Sequence, residues 1–186
     1  MKDTPGRSFI TTYNRLSNVL QNDVSISDIS KKTAPNKKWK SLWDTGATNT
    51  VITHNVVEEL GLMPVSVGEA STPQGRYRAY KYYINLFLPN GVVFPKLLVM
   101  EGKPTGCDIL IGMDVIGQGD FAVSNYQGKT TFSYRFPSLA TIDFVNNSYI
   151  KPFGIRADSN GPLKNSKCPC GSGKKYKQCC GKGKFD

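Results

Sequence analysis

Histidine is nearly absent: His54 is the single one in 186 residues. With no second histidine beside it, His54 is not read as a metal ligand or as the base of a triad. Long apolar runs are missing as well, and no stretch approaches the ~20 residues of a membrane span. The opening MKDTPGRSFITTYNRLSN lacks the ~7–15-residue apolar core of a signal peptide. The expectation is a cytoplasmic chain, where thiols stay reduced. No internal repeat is visible, and no helix of core-building length. Cys107 stands alone in the body and reads as a small buried apolar residue rather than a nucleophile.

What is present describes a globular protein. Hydrophobic residues make up 39% and charged residues 20%, and the length suits one ordinary domain plus an appendage. The charge is uneven. Of the formal +10, residues 161–186 contribute +6 from seven lysines against Asp186, and the other 160 residues contribute +4. Such a tail attracts nucleic acid, anionic lipid or an acidic protein, or simply keeps the chain soluble.

Alternation and turn chemistry divide the chain. Residues 1–21 form an N-terminal extension of ambiguous structure: Phe9, Tyr13, Leu16 and Leu20 suit a helix, whereas SFITTY suits a strand. DVSIS, the polar DISKKTAPN and KKWKSLW read as a hairpin leading to Asp44. HNVVEELGL reads as a short helix stopped by Gly61. A hairpin turns at PNG, CDILIGMDVI reads as a continuous apolar strand running into Gly112, and a last hairpin turns around YQG. Residues 154–167, rich in Gly, Ser, Asn and Pro, read as a linker.

The other four cysteines crowd into CPCGSGKKYKQCCG. In a reducing compartment, clustered thiols read as a metal site more readily than as disulfides. Cys168 and Cys170, an eight-residue loop, then Cys179 and Cys180 can surround one tetrahedral ion. Four thiolates around Zn²⁺ leave −2, which Lys174, Lys175 and Lys177 offset. The stretch resembles the SEC-C motif at nearly every position. That resemblance implies a small zinc-binding recognition module at 168–182, with Zn²⁺ as a structural cofactor, and is silent about its partner.

The stretch SLWDTGATNTVIT raises a different problem, because Asp44 follows the apolar pair Leu42 and Trp43 where the chain enters a core. Either Asp44 caps a turn, or a carboxylate is held in a dry place for chemistry. With LeuTrpAspThrGlyAla, the strand TVIT, a middle hairpin and then ILIGMD, residues 22–136 resemble a retropepsin-like aspartic protease. The resemblance implies a mostly β fold, a closed or partly open barrel with short helices. It implies that Asp44 is catalytic, that Thr45 hydrogen-bonds across a carboxylate dyad, and that Gly46 admits a close backbone N–H. Ala47 would sit beneath the cleft. Trp43 is bulkier than the aliphatic neighbour usual there. Two carboxylates ~3 Å apart split their pKa values, so one acts as base and the other as acid.

In the same resemblance the middle hairpin is the flap, with Thr72, Pro73, Gln74 and Gly75 at its tip. The alternating Arg76, Tyr77, Arg78 and Tyr80 would also suit stacking on single-stranded nucleic acid. Asp114 is expected to cap a short helix at 115–117, and Asp108 and Asp120 to be turn residues.

The whole reads as a protease domain at 22–153, the linker, and the SEC-C module. The expected function is a homodimeric aspartic endopeptidase acting on protein or peptide. Its tail would recruit a protein substrate or a ribosome- or translocase-like assembly. A catalytically silent dimeric adaptor is the alternative, and a nucleic-acid-binding protein led by the basic tail is a third.

Overall fold

The computed structural model describes residues 6–72, 75–144 and 148–150, and in the tail 165, 167–168, 172–180 and 182. Contacts divide the chain into two units, 1–149 and 150–186. The linker of 154–167, Asn165 and Lys167 apart, lies outside the described residues.

In the first unit, β1 (Arg7–Thr12) is followed by β2 (Gln21–Asp28), β3 (Trp39–Trp43) and β4 (Val51–Thr53), then helix α1 (His54–Leu60). The ambiguous N-terminal segment thus holds a strand, not a helix. Gly61 ends α1 in the left-handed region, φ 60°, which costs glycine little. The hairpin expected to act as a flap is β5 (Ser66–Thr72) and β6 (Gly75–Phe87); β7 (Val93–Gly102), β8 (Ile109–Ile111) and the one-turn α2 (Met113–Ile116) follow. CDILIGMDVI is therefore a three-residue strand that breaks at Gly112 into a helix. β9 (Asp120–Ser124), β10 (Thr131–Phe136), β11 (Thr141–Asp143) and β12 (Ser148–Ile150) complete the strands.

The main sheet has the order β2-β3-β8-β4-β7-β6-β5, and a further β2–β6 pairing bends six of its strands into a ring. β5 pairs with β6 as the outer strand of the sheet. The chain is mostly β and partly barrel-like, as expected. Closure explains β2: Val24, Ser25, Ile26 and Ser27 are all buried, because the strand has protein on both faces. Its buried hydroxyls are satisfied. Ser25 accepts from Lys38 Nζ at 3.0 Å, and Ser27 donates to the Lys31 carbonyl at 3.0 Å.

Beside the ring lies a three-stranded antiparallel sheet, β1-β10-β9. Trp43, the last residue of β3, joins the two. Its ring stacks on Phe121 at 5.8 Å and tilts against Tyr134 at 4.9 Å, Phe9 at 5.7 Å and Phe132 at 5.8 Å. Its indole N–H donates to Asn22 Oδ1 at 2.6 Å, which also accepts from Ser41 Oγ at 2.9 Å. The bulk before Asp44 is thus an anchor for the terminal sheet. No helix among the described residues is long and apolar enough to cross a membrane.

Candidate active site and metal centre

Asp44 leaves the end of β3, where the strand runs parallel to β8. Its backbone N–H donates to Ile111 at 2.9 Å, so the barrel fixes where the carboxyl begins. The next residues turn back: Ala47 N–H donates to the Asp44 carbonyl at 3.2 Å, and Gly46 N–H to Asp44 Oδ1 at 2.8 Å. A Cβ on residue 46 would sit 3.2 Å from that oxygen, so glycine keeps the approach open. Thr45 and Gly46 are exposed, and Asp44 and Ala47 are half-buried. The loop presents a carboxylate at the surface with one backbone donor already aimed at it.

The loop is held from behind by Asp114, and here the expectation of a helix cap is corrected. Asp114 lies inside the first turn of α2, whose N-cap is Gly112, and makes no capping bond. Its carboxylate reaches back across the fold, where Thr50 donates to it twice: the N–H to Oδ2 at 2.8 Å and Oγ1 to Oδ1 at 2.7 Å. Thr50 is fully buried and also accepts from Gly112 N–H at 3.2 Å. Met113 N–H donates to the Ala47 carbonyl at 2.8 Å and Asp114 N–H to Thr48 at 3.2 Å. A Cβ on residue 112 would meet the backbone of Asn49 at 2.6 Å, so only glycine lets α2 approach the loop this closely. Asp114 thus serves the candidate site by holding its loop. The signal in the sequence was the Gly-Met-Asp that ends the apolar strand, but its partner Thr50 is 64 residues away.

Asp108 accepts Lys40 N–H at 3.0 Å, fixing the loop before β8. Asp120 opens β9 rather than a turn. It accepts from Arg135, from Ser138 Oγ and from Leu139 N–H at 2.9 Å. Burial opposes its ionisation, but the Leu139, Ser138 and Arg135 donors outweigh it and hold the carboxyl below the usual aspartate range. His54 places Nδ1 2.8 Å from Glu101 and Nε2 3.2 Å from Glu58. The Glu101 hydrogen bond and the Glu58 charge raise its pKa. Cys107 is half-buried, and burial together with Asp108 pushes its thiol up, away from a reactive thiolate.

Of the flap tip, Thr72 ends β5 and Gly75 begins β6, paired with each other; Pro73 and Gln74 lie outside the described residues.

In the tail, the sulfurs of Cys168, Cys179 and Cys180 lie within 4.8 Å of one another, and none of the three is in a disulfide. A tetrahedral ion with Zn–S near ~2.3 Å places its sulfurs roughly 3.8 Å apart; Cys179 and Cys180 are at 3.9 Å. The chain is drawn together by Cys168 N–H donating to Lys174 at 2.7 Å and Cys179 N–H to Tyr176 at 3.1 Å. Ser172 Oγ donates to Cys179 Sγ at 3.2 Å. These donors fit a thiolate-loving ion such as zinc. Cys170, the expected fourth ligand, lies outside the described residues.

Comparison with known proteins agrees with both regions. Residues 33–118 match the family model described as gag-polyprotein putative aspartyl protease, and residues 165–182 match the SEC-C motif. A curated relative, the protein translocase subunit SecA of Helicobacter pylori, is 61% identical over 28 residues. That match spans 15% of this chain and 3% of SecA. Among solved structures, a retropepsin-like aspartic protease from Rickettsia conorii is 14% identical, with a TM-score of 0.47 over 73% of this chain and 98% of its own. EIAV protease in complex with an inhibitor is 18% identical, with a TM-score of 0.42 over 57% and 92%. The chain thus carries a match to the gag-polyprotein aspartyl protease model over residues 33–118 and a C-terminal SEC-C motif over residues 165–182.

Proposed function

We propose that the chain is an aspartic endopeptidase in which Asp44 supplies one half of a catalytic dyad. The observation that carries this reading is the loop after β3, with Gly46 N–H 2.8 Å from Asp44 Oδ1 and the loop clamped by Asp114 through Thr50. Peptide hydrolysis through an activated water needs a base for the water and an acid for the leaving amide. A lone carboxylate cannot be both at once. Two of them sharing one proton can, since like charges that close cannot both ionise.

The chain contains one Asp-Thr-Gly. The second carboxylate then comes from Asp44 of another copy across a two-fold axis, in an isologous dimer. Thr45, exposed beside it, would hydrogen-bond to the opposite loop, and the β5–β6 hairpin with Thr72, Pro73, Gln74 and Gly75 would close over the peptide. The protease domain occupies residues 22–153, joined by β1 from the 1–21 extension. Residues 154–167 link it to the SEC-C module at 168–182, where Cys168, Cys170, Cys179 and Cys180 hold a structural zinc. That module recruits a protein substrate or a larger assembly, in the cytoplasm.

The test compares wild type with Asp44→Asn on a denatured protein substrate. Asn keeps the size and removes the titrating group, so turnover should fall by orders of magnitude with folding unchanged. Mixing wild-type chains with excess Asp44→Asn chains should poison activity, because mixed dimers hold one competent carboxylate. Equal cleavage by wild type and Asp44→Asn would end the proposal, and no cleavage by either would point to a silent adaptor.

A further inference from the structure

The stem of the flap hairpin leaves an opening that the catalytic loop does not use. From Lys81 onward β6 has partners on both edges, Ser66 on β5 and Met100 on β7 marking the start. From Arg76 to Tyr80 its ladder among the described residues is with β5, while β7 runs on to Gly102. The strands diverge there and leave a cavity of about 590 Å³ between Tyr77–Tyr80 and Glu101–Lys103, with His54 completing its wall. Along residues 76–80, the β6 edge away from β5 carries no backbone ladder among the described residues. An open edge of this kind is a template for an added strand.

The pocket holds charges of both signs, and they differ in how far they are engaged. Glu101 is already engaged, accepting from Tyr82 Oη at 2.7 Å and lying 2.8 Å from His54 Nδ1. Arg78 and Lys103 are exposed, line the cavity, and make no hydrogen bond or ion pair with any described residue. Glu69 stands directly across the ladder from Arg78 yet forms no ion pair with it. The pocket therefore offers two free cations beside a strand edge.

We infer that this crotch binds an extended acidic segment of polypeptide, which adds along residues 76–80 and sets its carboxylates on Arg78 and Lys103. Tyr77 and Tyr80 give it flat apolar contact. A peptide matches the edge because its backbone supplies donors and acceptors alternately. A nucleic-acid strand has no backbone N–H donors at the spacing of a strand, so its phosphates would satisfy the cations without continuing the β6 ladder. The inference rests on the substrate being polypeptide: the acidic segment is a part of it remote from the scissile bond. It then contributes to KM for proteins rather than to turnover of short peptides.

The test uses the full chain and fluorescein-labelled hexaglutamate, read by anisotropy, so it needs no hydrolysis. Arg78→Glu with Lys103→Glu should weaken binding about tenfold, two exposed attractions being turned into repulsions. Lys182→Glu with Lys184→Glu changes the net charge of the tail equally and should leave binding near wild type. Alternate N-methylation of hexaglutamate should weaken it further, by blocking the added strand. Should the double charge reversal fail to fold, Arg78→Ala with Lys103→Ala takes its place, with a smaller loss expected. An equal loss from both pairs of reversals, no loss from the body pair, or tighter binding of labelled hexauridylate would overturn the inference. Asp44→Asn should bind hexaglutamate like wild type, and a wild-type chain that binds hexaglutamate yet cleaves no protein would sink the protease reading and leave this one standing.

Discussion

The two units of this chain hold themselves together by different means. The body buries a continuous apolar cluster running from Val24 and Ile26 through Ile52, Ile84, Ile109 and Ile111 to Phe132 and Tyr134. In the tail Cys168 is the only buried residue among those described, and around the thiols stand five lysines with Asn165, Ser172, Gly173, Tyr176 and Gln178. A segment that short cannot exclude enough water to offset its chain entropy. A cross-linking ion can replace the missing core. The difference shows why a carboxylate site needs a barrel behind it, whereas a thiol cluster needs only a turn that gathers sulfurs.

The largest effect that would sharpen this contrast is removal of the proposed zinc. Apparent binding free energies of structural zinc are on the order of 10–16 kcal/mol, far more than a tail of this size gains by burial. Chelation or Cys179→Ser should therefore abolish amide protection in residues 168–182 and leave the melting temperature of the body in place. Amide hydrogen exchange followed by mass spectrometry measures both at once. A body that unfolds with the tail would erase the distinction.

The next effect lies in the body's own packing. Trp43→Ala removes a nearly buried ring that touches four aromatic neighbours and leaves Asn22 without its indole donor. A cost of about 3–5 kcal/mol is expected, read from urea unfolding, with β1 and β10 losing protection first and the tail's metal content unchanged.

Smaller again is the clamp behind the candidate catalytic loop. Asp114→Ala strips two acceptors from buried Thr50, and about 1–3 kcal/mol should be lost. Turnover should fall by more than stability accounts for, since Asp44 keeps its identity but its loop is freed. Equal activity at full folding would show that the clamp is unrelated to the chemistry.

The smallest effects are in pH dependence. Asp120 has a lowered pKa in the folded body, so its contribution is present above the ordinary value of 3.8 and is lost as pH falls through the folded value. Asp120→Ala should therefore flatten the fall in stability below about pH 3.8, measured by urea melts across an acid series. His54 has the opposite sign. Its pKa is raised, so the support it gains from Glu101 and Glu58 is present below 6.5 and lost as pH rises through the folded value. On so exposed a ring the change should be slight, and His54→Gln should abolish it.

Several elements were legible because their cause is local. Gly61 ends α1 where the apolar period stops, the turns at PNG and YQG separate alternating runs, and the thiol spacing brings three sulfurs of one short segment together. Residues 1–21 were ambiguous because Phe9 and Tyr13 satisfy a helical spacing as well as an alternating one. The choice fell to β10, which supplies the missing hydrogen bonds. Asp114 was misread as a cap because a carboxylate ahead of a short helix looks the same from its neighbours, whether it turns to its own N–H groups or to a threonine far along the chain.

By itself the sequence determined which side chains with chemistry are present and how they are spaced along the strand or turn that carries them: Asp44 before Thr45 and Gly46, and thiols at 168, 170, 179 and 180. Only the tertiary structure decided that β2 closes on β6 and so buries Ser25 and Ser27, that Trp43 anchors the terminal sheet, and that Asp114 holds Thr50. Periodicity and turn chemistry act over a few residues. These pairings join residues 34 to 91 positions apart and arise when buried polar groups and apolar rings find partners as the barrel closes.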